Sequence, residues 1–231
     1  MCSDETSARV SGKTWWEWVF IGSLAVLHVI HPSRGKAVVQ ALFGEIRPMV
    51  WVSDMLGSQR GHAVEWQVCL AHLLRDATYA IECGDTAFSA FKRLLLRAIA
   101  IGRRRDALKD ITLRHYLADL DRRLDRIMAA VPTGEPGRKL RKRIAANRAH
   151  LFVFITHRDV PYTNNISERH LRPSVIFRKV TNGFRCEWGA ETYAAFRSLV
   201  STAKANRASV LGVLRFVLAT KTPACLSAIP G

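Results

Sequence analysis

Three carboxylates far apart in the chain are candidate metal ligands for phosphoryl transfer. Asp4 lies at the start of the first extended stretch, and Asp54 closes the apolar stretch MVWVSD. Glu168 lies in YTNNISERHLRPSVIFRK (162–179), a segment otherwise rich in Arg and Lys. Carboxylate oxygens suit Mg²⁺, and two such ions about 4 Å apart can activate an attacking oxygen and stabilise a leaving one. The three acids can form this site only if folding brings them together.

Each acid also has a structural interpretation, which the residues alone leave open. Asn165 and Glu168 are three apart, as in a capping box, and Glu168 and Arg172 are four apart, as in an ion pair on a helix face. Asp54 could cap the segment that follows it. Asp4 is close to the chain end and could be disordered.

The charge of the chain favours a polyanionic partner. Lys and Arg number 35 and Asp and Glu 19, which gives a net charge of +16. The excess is concentrated in residues 131–231, where 17 basic side chains meet 5 acidic ones. Nucleic acid is the commonest partner of such a chain, and a solvated basic surface is the alternative.

The cysteines and the hydropathy pattern predict a cytoplasmic protein with no membrane association. Five scattered cysteines do not form a disulfide framework, which favours a reducing compartment. The longest apolar stretch, VFIGSLAVLHVI (19–30), is too short to span a bilayer, and the polar N-terminus does not resemble a signal peptide.

The first third of the chain reads mainly as strands. Residues 14–22 and 24–30 predict an antiparallel hairpin that turns at Gly22-Ser23. Residues 32–44 predict a short helix that Ser33 caps and Gly44 ends. A buried strand is expected over 49–54, and WQVCLAHLLRD (66–76) begins extended and becomes helical by Leu70.

From residue 86 the spacing of the apolar residues becomes that of an α-helix. Residues 86–131 predict a helical hairpin, broken at GRRRD (102–106) and ended by PTGEPG (132–137). Further helices are expected over 138–155, 188–207 and 209–219, and a short one begins near Asn165 and carries Glu168. The order strand, strand, strand, helix, strand resembles the start of a ribonuclease-H-like α/β fold.

Several motifs together resemble the catalytic region of the insertion-sequence-66 family of transposases. They are SDETSARVSGKTWWEWVF, WVSDMLGSQRG, WQVCLAHLLRDA and TNNISERHLRPSVIFRKVTNGFRCEWGAETYAAFRSLVSTAKAN. The last is the most specific, because its Asn-Asn, Glu-Arg, Leu-Arg-Pro, Arg-Lys and Trp-Gly-Ala-Glu elements occur in order. The resemblance runs from about residue 3 to 220 and is weakest across the helical segment.

The resemblance implies a ribonuclease-H-like mixed sheet that bears a DDE motif, with a helical insertion between the second and third catalytic acids. By matched motif the acids are Asp4, Asp54 and Glu168, which would ligate Mg²⁺ or Mn²⁺. Neighbouring cations would hold DNA phosphates, which gives affinity without sequence readout; they are Arg169, Arg172, Arg178 and Lys179. Residues expected to support the ligands without direct chemistry are His72, Asp76 and Asn165.

The implied organisation has four parts: residues 1–85 begin the catalytic domain, 86–157 form the insertion, 158–220 complete the domain, and 221–231 form a tail. The implied activity is DNA cleavage and strand transfer in transposition of a bacterial mobile element. DNA (transposon ends and target), a second copy of the chain and accessory transposition proteins are the expected partners, with the protein on the nucleoid when DNA-bound. Family members carry an upstream region missing before Asp4, so we expect an N-terminally truncated chain with Asp4 on a fraying strand end. The alternatives are an inactive DNA-binding remnant and a related metal-dependent nuclease.

Overall fold

The computed structural model describes residues 1–220, so the predicted tail at 221–231 lies outside the described residues. The described chain forms two compact units, which we call unit 1 (Met1–Glu45 and residues 165–220) and unit 2 (Ile46–Asn164). The functional division at residues 85 and 157 stays a prediction. Within residues 1–220, no helix is both long enough and apolar enough to cross a membrane.

The described part of the chain contains five strands and eight α-helices. The strands are β1 (Cys2–Val10), β2 (Lys13–Ile21), β3 (Val26–His31), β4 (Val50–Ser53) and β5 (Glu65–Val68). The helices are α1 (Lys36–Phe43), α2 (Leu70–Glu82), α3 (Phe88–Arg104), α4 (Asp110–Met128), α5 (Glu135–Ala146), α6 (Asn165–Thr181), α7 (Glu187–Ala205) and α8 (Val210–Ala219). The predicted order of three strands, a helix and a strand is confirmed, and the molecule is of mixed α/β class.

In unit 1, β1, β2 and β3 form an antiparallel meander in the order β3-β2-β1. The β1–β2 connection is a two-residue turn in which Ser11 and Gly12 both have positive φ, 48° and 75°. Such a turn matches the right-handed twist of paired strands. The predicted β2–β3 hairpin is confirmed, with Val26 opposite Ile21 across the turn.

Helices α6 and α7 pack on the meander of unit 1. One apolar cluster joins Ala8 and Val10 of β1 to Ala190 and Ala194 of α7. Aromatic rings extend it: the ring centroids of Phe177 and Tyr193 are 4.7 Å apart. Burial of these faces holds α6 in a fixed position along β1, because most helix stability in proteins comes from packing of an apolar face.

Unit 2 combines the parallel pair β4–β5 with helices α2 to α5. The predicted strand at 49–54, the extended-to-helical change by Leu70 and the helical hairpin at 86–131 are confirmed. Fully buried side chains from the helices form the core of this unit; among them are Leu73, Phe91, Leu95, Leu120, Leu124 and Ile144.

Three local predictions are wrong, two about where a helix begins or ends and one about the length of a helix. Gly35, not Ser33, precedes α1 as its cap residue, because the Ser33 hydroxyl accepts the Gly35 amide in a turn of its own. The helix expected over 138–155 ends at Ala146, where the Asn147 side chain donates to the carbonyl of Arg143 at 2.7 Å. Side-chain bonds of this kind compete with helix continuation, and two short 3₁₀ turns follow.

The helix that carries Glu168 is long, not short. Pro173 suggests a break, since proline removes one backbone hydrogen bond and crowds the preceding turn. Yet α6 is 17 residues long and continues past Pro173 to Thr181. Contacts of Ser174, Phe177 and Arg178 with the rest of unit 1 hold its second half in place.

Candidate functional site

An open cleft of about 460 Å³ in unit 1 contains two of the three predicted acids. Asp4 of β1 and Glu168 of α6 both line it, although 164 positions separate them in the chain. The other lining residues are Glu5, Thr6, Asn165, Arg169, Leu171, Arg172 and Val175. The cleft therefore combines carboxylates from a strand with carboxylate and guanidinium groups from a helix.

Asp4 is held inside a paired strand. Strand β1 pairs with β2 over its whole length, and Asp4 lies opposite Val19. Its Oδ1 accepts the Glu5 amide at 2.9 Å. The expectation that Asp4 sits on a fraying end is therefore wrong: nine consecutive residues of β1 have partners in β2, and strand pairing satisfies the backbone groups that would otherwise fray.

Glu168 lies in the first turn of α6 with its side chain exposed. An acid in a first helical turn is favourable because the unpaired N–H groups there carry partial positive charge. Helix α6 starts at Asn165 itself, one residue earlier than a capping box from Asn165 to Glu168 requires. Nor does an ion pair join Glu168 to Arg172 within the described residues.

The four predicted DNA-binding cations have two kinds of environment. Arg169, Arg172 and Lys179 are exposed on α6 and form no ion pair with any described residue. Arg178 is half-buried and donates to both the backbone carbonyl and the hydroxyl of Ser7. Arg178 thus ties α6 to β1, while the other three are available to an anion.

Glu5 is a cleft residue that sequence reasoning missed. Its side chain is 1% exposed and accepts two hydrogen bonds from Arg34, from Nε at 3.0 Å and from Nη2 at 2.6 Å. Arg34 also lies over the ring of Trp16, 4.5 Å from its centroid. The signal was present in the sequence as the pair Asp4-Glu5, but the partner of Glu5 is 29 residues away and is supplied only by the fold.

Asp54 belongs to unit 2 and follows the end of β4, as predicted from the MVWVSD stretch. Its Oδ1 accepts the Leu56 amide at 2.9 Å, which is the local turn bond typical of Asp. The structural interpretation of Asp54 as a cap for the next segment is therefore partly correct. One carboxylate bond of this kind leaves Oδ2 for other ligands.

The three supporting residues also lie in different places. Asn165 lines the cleft of unit 1. His72 and Asp76 are one turn apart on α2 of unit 2. Asp76 accepts a hydrogen bond from Arg143 of α5 at 2.7 Å, so it helps to hold two helices of that unit together. Their predicted support of a metal site stays a prediction.

A buried polar network lies behind the helix that carries Glu168. Glu17 and His28 are each 2% exposed, and Glu17 Oε1 lies 3.0 Å from His28 Nδ1. Ser174 of α6 donates to the same Oε1 at 2.7 Å and accepts from the Tyr193 hydroxyl at 3.1 Å. A buried polar group is costly to leave without a hydrogen bond, so this network fixes the position of α6 on the sheet.

The family model described as Transposase IS66 family matches residues 1–192 of the chain. This range includes both sides of the cleft and all three predicted acids. The chain belongs to the IS66 family of transposases. No curated protein and no solved structure matches it.

Proposed function

We propose that this IS66-family chain is the catalytic domain of a DDE-type transposase, which cleaves DNA strands and joins a freed 3′ end to target DNA. The observation that carries the proposal is the cleft of unit 1, which Asp4 and Glu168 both line together with Arg169 and Arg172. A family match alone does not identify reacting groups, and a pair of acids alone does not identify a substrate. Together they indicate metal-dependent phosphoryl transfer on a polyanion.

In this proposal Asp4, Asp54 and Glu168 hold Mg²⁺ or Mn²⁺. Their oxygens suit hard divalent ions, which commonly bind through a few carboxylates with substrate phosphates and waters as further ligands. An ion held by these residues would supply activation of the attacking oxygen and stabilisation of the leaving one.

The cations of α6 have a separate task. Arg169 and Arg172 line the cleft next to Glu168, and a guanidinium can grip a phosphate through two parallel hydrogen bonds. They would place the scissile phosphate against the acids and offset the repulsion between carboxylates and a DNA backbone. Such contacts position the substrate without reading its sequence.

The fold proposed for this domain is ribonuclease-H-like. In its favour are the antiparallel meander β1–β3, the helix α1 that follows it and the parallel strands β4 and β5. The helices α3 and α4 fall between Asp54 and Glu168, where the proposed insertion is expected. DNA ends, target DNA, a second copy of the chain, accessory proteins and a nucleoid location in the bacterial cytoplasm belong to the same proposal.

The decisive experiment compares Glu168→Gln with the wild-type chain on supercoiled plasmid DNA in Mg²⁺. Loss of a metal ligand should lower the cleavage rate by about three orders of magnitude, while DNA affinity measured by fluorescence anisotropy stays within about threefold. Glu187→Gln is the matched control, because Glu187 is an exposed acid in the first turn of α7. It should cleave at the wild-type rate.

Two results would contradict the proposal. Unchanged cleavage by Glu168→Gln would remove Glu168 from the reaction, and DNA binding without any cleavage by the wild-type chain would identify an inactive DNA-binding protein. Sequencing of joined products separates transposition from simple nuclease action, since only strand transfer links a donor 3′ end to a target strand.

A further inference from the structure

A second basic surface lies in unit 2, on the helical hairpin. Helices α3 and α4 flank a groove of about 390 Å³. Four arginines line it, two from each helix: Arg93, Arg97, Arg123 and Arg126. The remaining lining residues are Ala90, Leu94 and Ile127, which form a small apolar floor. We call this surface the arginine groove.

The arginine groove has no acid among the described residues that line it, and it carries more positive charge than the neighbouring Asp119 can neutralise. Asp119 accepts hydrogen bonds from Arg97 at 3.2 Å and from Arg123 at 2.8 Å. The bond from Arg123 holds the pKa of Asp119 below its ordinary value, so this acid is ionised at neutral pH. Arg93 and Arg126 are exposed, and within residues 1–220 neither forms an ion pair. Two guanidinium groups therefore remain for an external anion.

The arginines follow one stripe of α3. Arg93, Arg97 and Arg104 are four and seven residues apart, so they lie on the same helix face. At about 1.5 Å per residue, the stripe from Arg93 to Arg104 is about 16 Å long. Arg104 lies over the ring of Tyr116 on α4, 5.7 Å from its centroid, which continues the surface along the hairpin. One DNA strand places about five phosphates over that length, at 3.4 Å each along the axis.

We infer that the arginine groove binds the sugar–phosphate backbone of DNA outside the catalytic cleft of unit 1. The choice of DNA rests on the proposed function. The groove itself favours a phosphate backbone over a protein segment: protein interfaces centre on large buried apolar or aromatic anchors, whereas the floor here is small and arginines dominate the walls. A bound backbone would replace the missing counter-ions of Arg93 and Arg126.

The test measures binding of a fluorescein-labelled DNA duplex to the whole chain by anisotropy, across a range of NaCl concentrations. The double variant Arg93→Ala/Arg126→Ala removes two phosphate contacts. The slope of log affinity against log salt should fall by about 2, and affinity at 0.1 M salt should fall by between about tenfold and a hundredfold. Arg93→Lys/Arg126→Lys should keep most of the affinity, because a backbone contact needs the charge rather than a base-reading geometry.

The matched control is Lys92→Ala/Arg114→Ala, which removes the same charge from the same two helices. Neither residue lines the groove, and Arg114 lies on the side of α4 opposite Arg123, nine residues away. This control should change affinity by less than about twofold. Equal thermal unfolding curves would show that all variants fold, since neither groove arginine has an ion pair to lose.

Three outcomes decide between the hypotheses. If Arg93→Ala/Arg126→Ala binds DNA like the control, the inference is wrong even where Glu168-dependent cleavage stands. If it keeps DNA binding and instead loses binding to poly-glutamate, the groove takes acidic protein and the inference is again wrong. If it loses DNA affinity while the wild-type chain shows no Glu168-dependent cleavage, the groove is a DNA site and the proposed activity fails.

Discussion

Arg178 and Lys179 are neighbours in the sequence but have different environments in the structure. Arg178 is half-buried and donates to the backbone and hydroxyl of Ser7. Lys179 is exposed and forms no ion pair among the described residues. At the residue scale, two side chains with the same charge therefore have separable effects, one on stability and the other on DNA affinity.

We predict that Arg178→Ala lowers the free energy of unfolding by about 1–3 kcal/mol, because hydrogen bonds from a charged donor to the partly buried Ser7 are lost. Lys179→Ala should change it by less than about 0.5 kcal/mol and should reduce the salt slope of DNA binding by about 1. Urea unfolding and anisotropy measure the two effects. Equal stability of the two variants would contradict the structural role of Arg178.

The acids also differ from one another at this scale. Glu5 is buried and held by Arg34, whereas Glu168 is exposed at a helix start. A ligand for an exchangeable ion must be reachable by solvent and substrate, which fits Glu168. Glu5 ties β1 to Arg34 beside the cleft, and its carboxylate also lies close enough to that of Asp4 for both to ligate one ion.

At the scale of elements, Asp85 joins α5 to the start of α3. Its Oδ1 accepts the Thr133 amide and hydroxyl, each at 2.7 Å, and the Gly134 amide at 3.1 Å. The glycines of PTGEPG allow this approach. A Cβ on Gly137 would overlap Asp85 Oδ2 and lie 2.9 Å from Phe88 Cε2.

Gly137→Ala should therefore destabilise the protein by about 1–3 kcal/mol through overpacking, although alanine favours a helix by about 1 kcal/mol. Gly189→Ala is the matched control within α7. Its Cβ would meet only Cys186 Sγ at 3.5 Å, an ordinary contact, so the substitution should be neutral or stabilising by up to about 1 kcal/mol. Thermal unfolding measures both, and a stabilising Gly137→Ala would show that the close approach is wrong.

Helix periodicity predicted the hairpin α3–α4 because its apolar residues recur on one face and bury a core. The same pattern did not reveal where α5 ends or that α6 continues past Pro173. Those outcomes depend on a side-chain bond of Asn147 and on the anchoring of Ser174 and Arg178. Local pattern is a poor guide where contacts distant in sequence decide between two similar local conformations.

At the scale of the whole molecule, acid stability follows from carboxylates whose pKa the fold lowers. Hydrogen bonds from Thr133 and Gly134 lower the pKa of Asp85. Bonds from Arg or Lys lower the pKa of other acids, namely Asp110, Asp119, Asp125 and Glu135. An acid with a lowered folded pKa binds protons more readily when unfolded, so its stabilising effect is present above the unfolded pKa and is lost as pH falls through the folded one.

We predict that the free energy of unfolding decreases as pH falls below about 4. At 1 M NaCl the part due to exposed Arg and Lys pairs should shrink through screening, whereas the part due to Asp85 should persist because its donors are neutral. At high salt, the free energy of unfolding of Asp85→Asn should therefore depend less steeply on pH in the acid range than that of the wild type. Urea unfolding from pH 5 to 2.5 at 1 M NaCl measures this. If the free energy of unfolding falls equally steeply with pH in Asp85→Asn and in the wild type, this account is wrong.

The sequence by itself determined the class of the molecule, most of its strands and helices, its strongly positive net charge and its family. These follow from the spacing of apolar residues, the turn residues, the net charge and the order of the family motifs. All of these are local or additive properties of the chain. Only the tertiary structure decided that Asp4 and Glu168 share a cleft with Glu5, and that Arg178 supports α6 while four arginines line a groove on α3 and α4. Those facts depend on strand register and helix packing, which bring together side chains that no spacing along the chain relates.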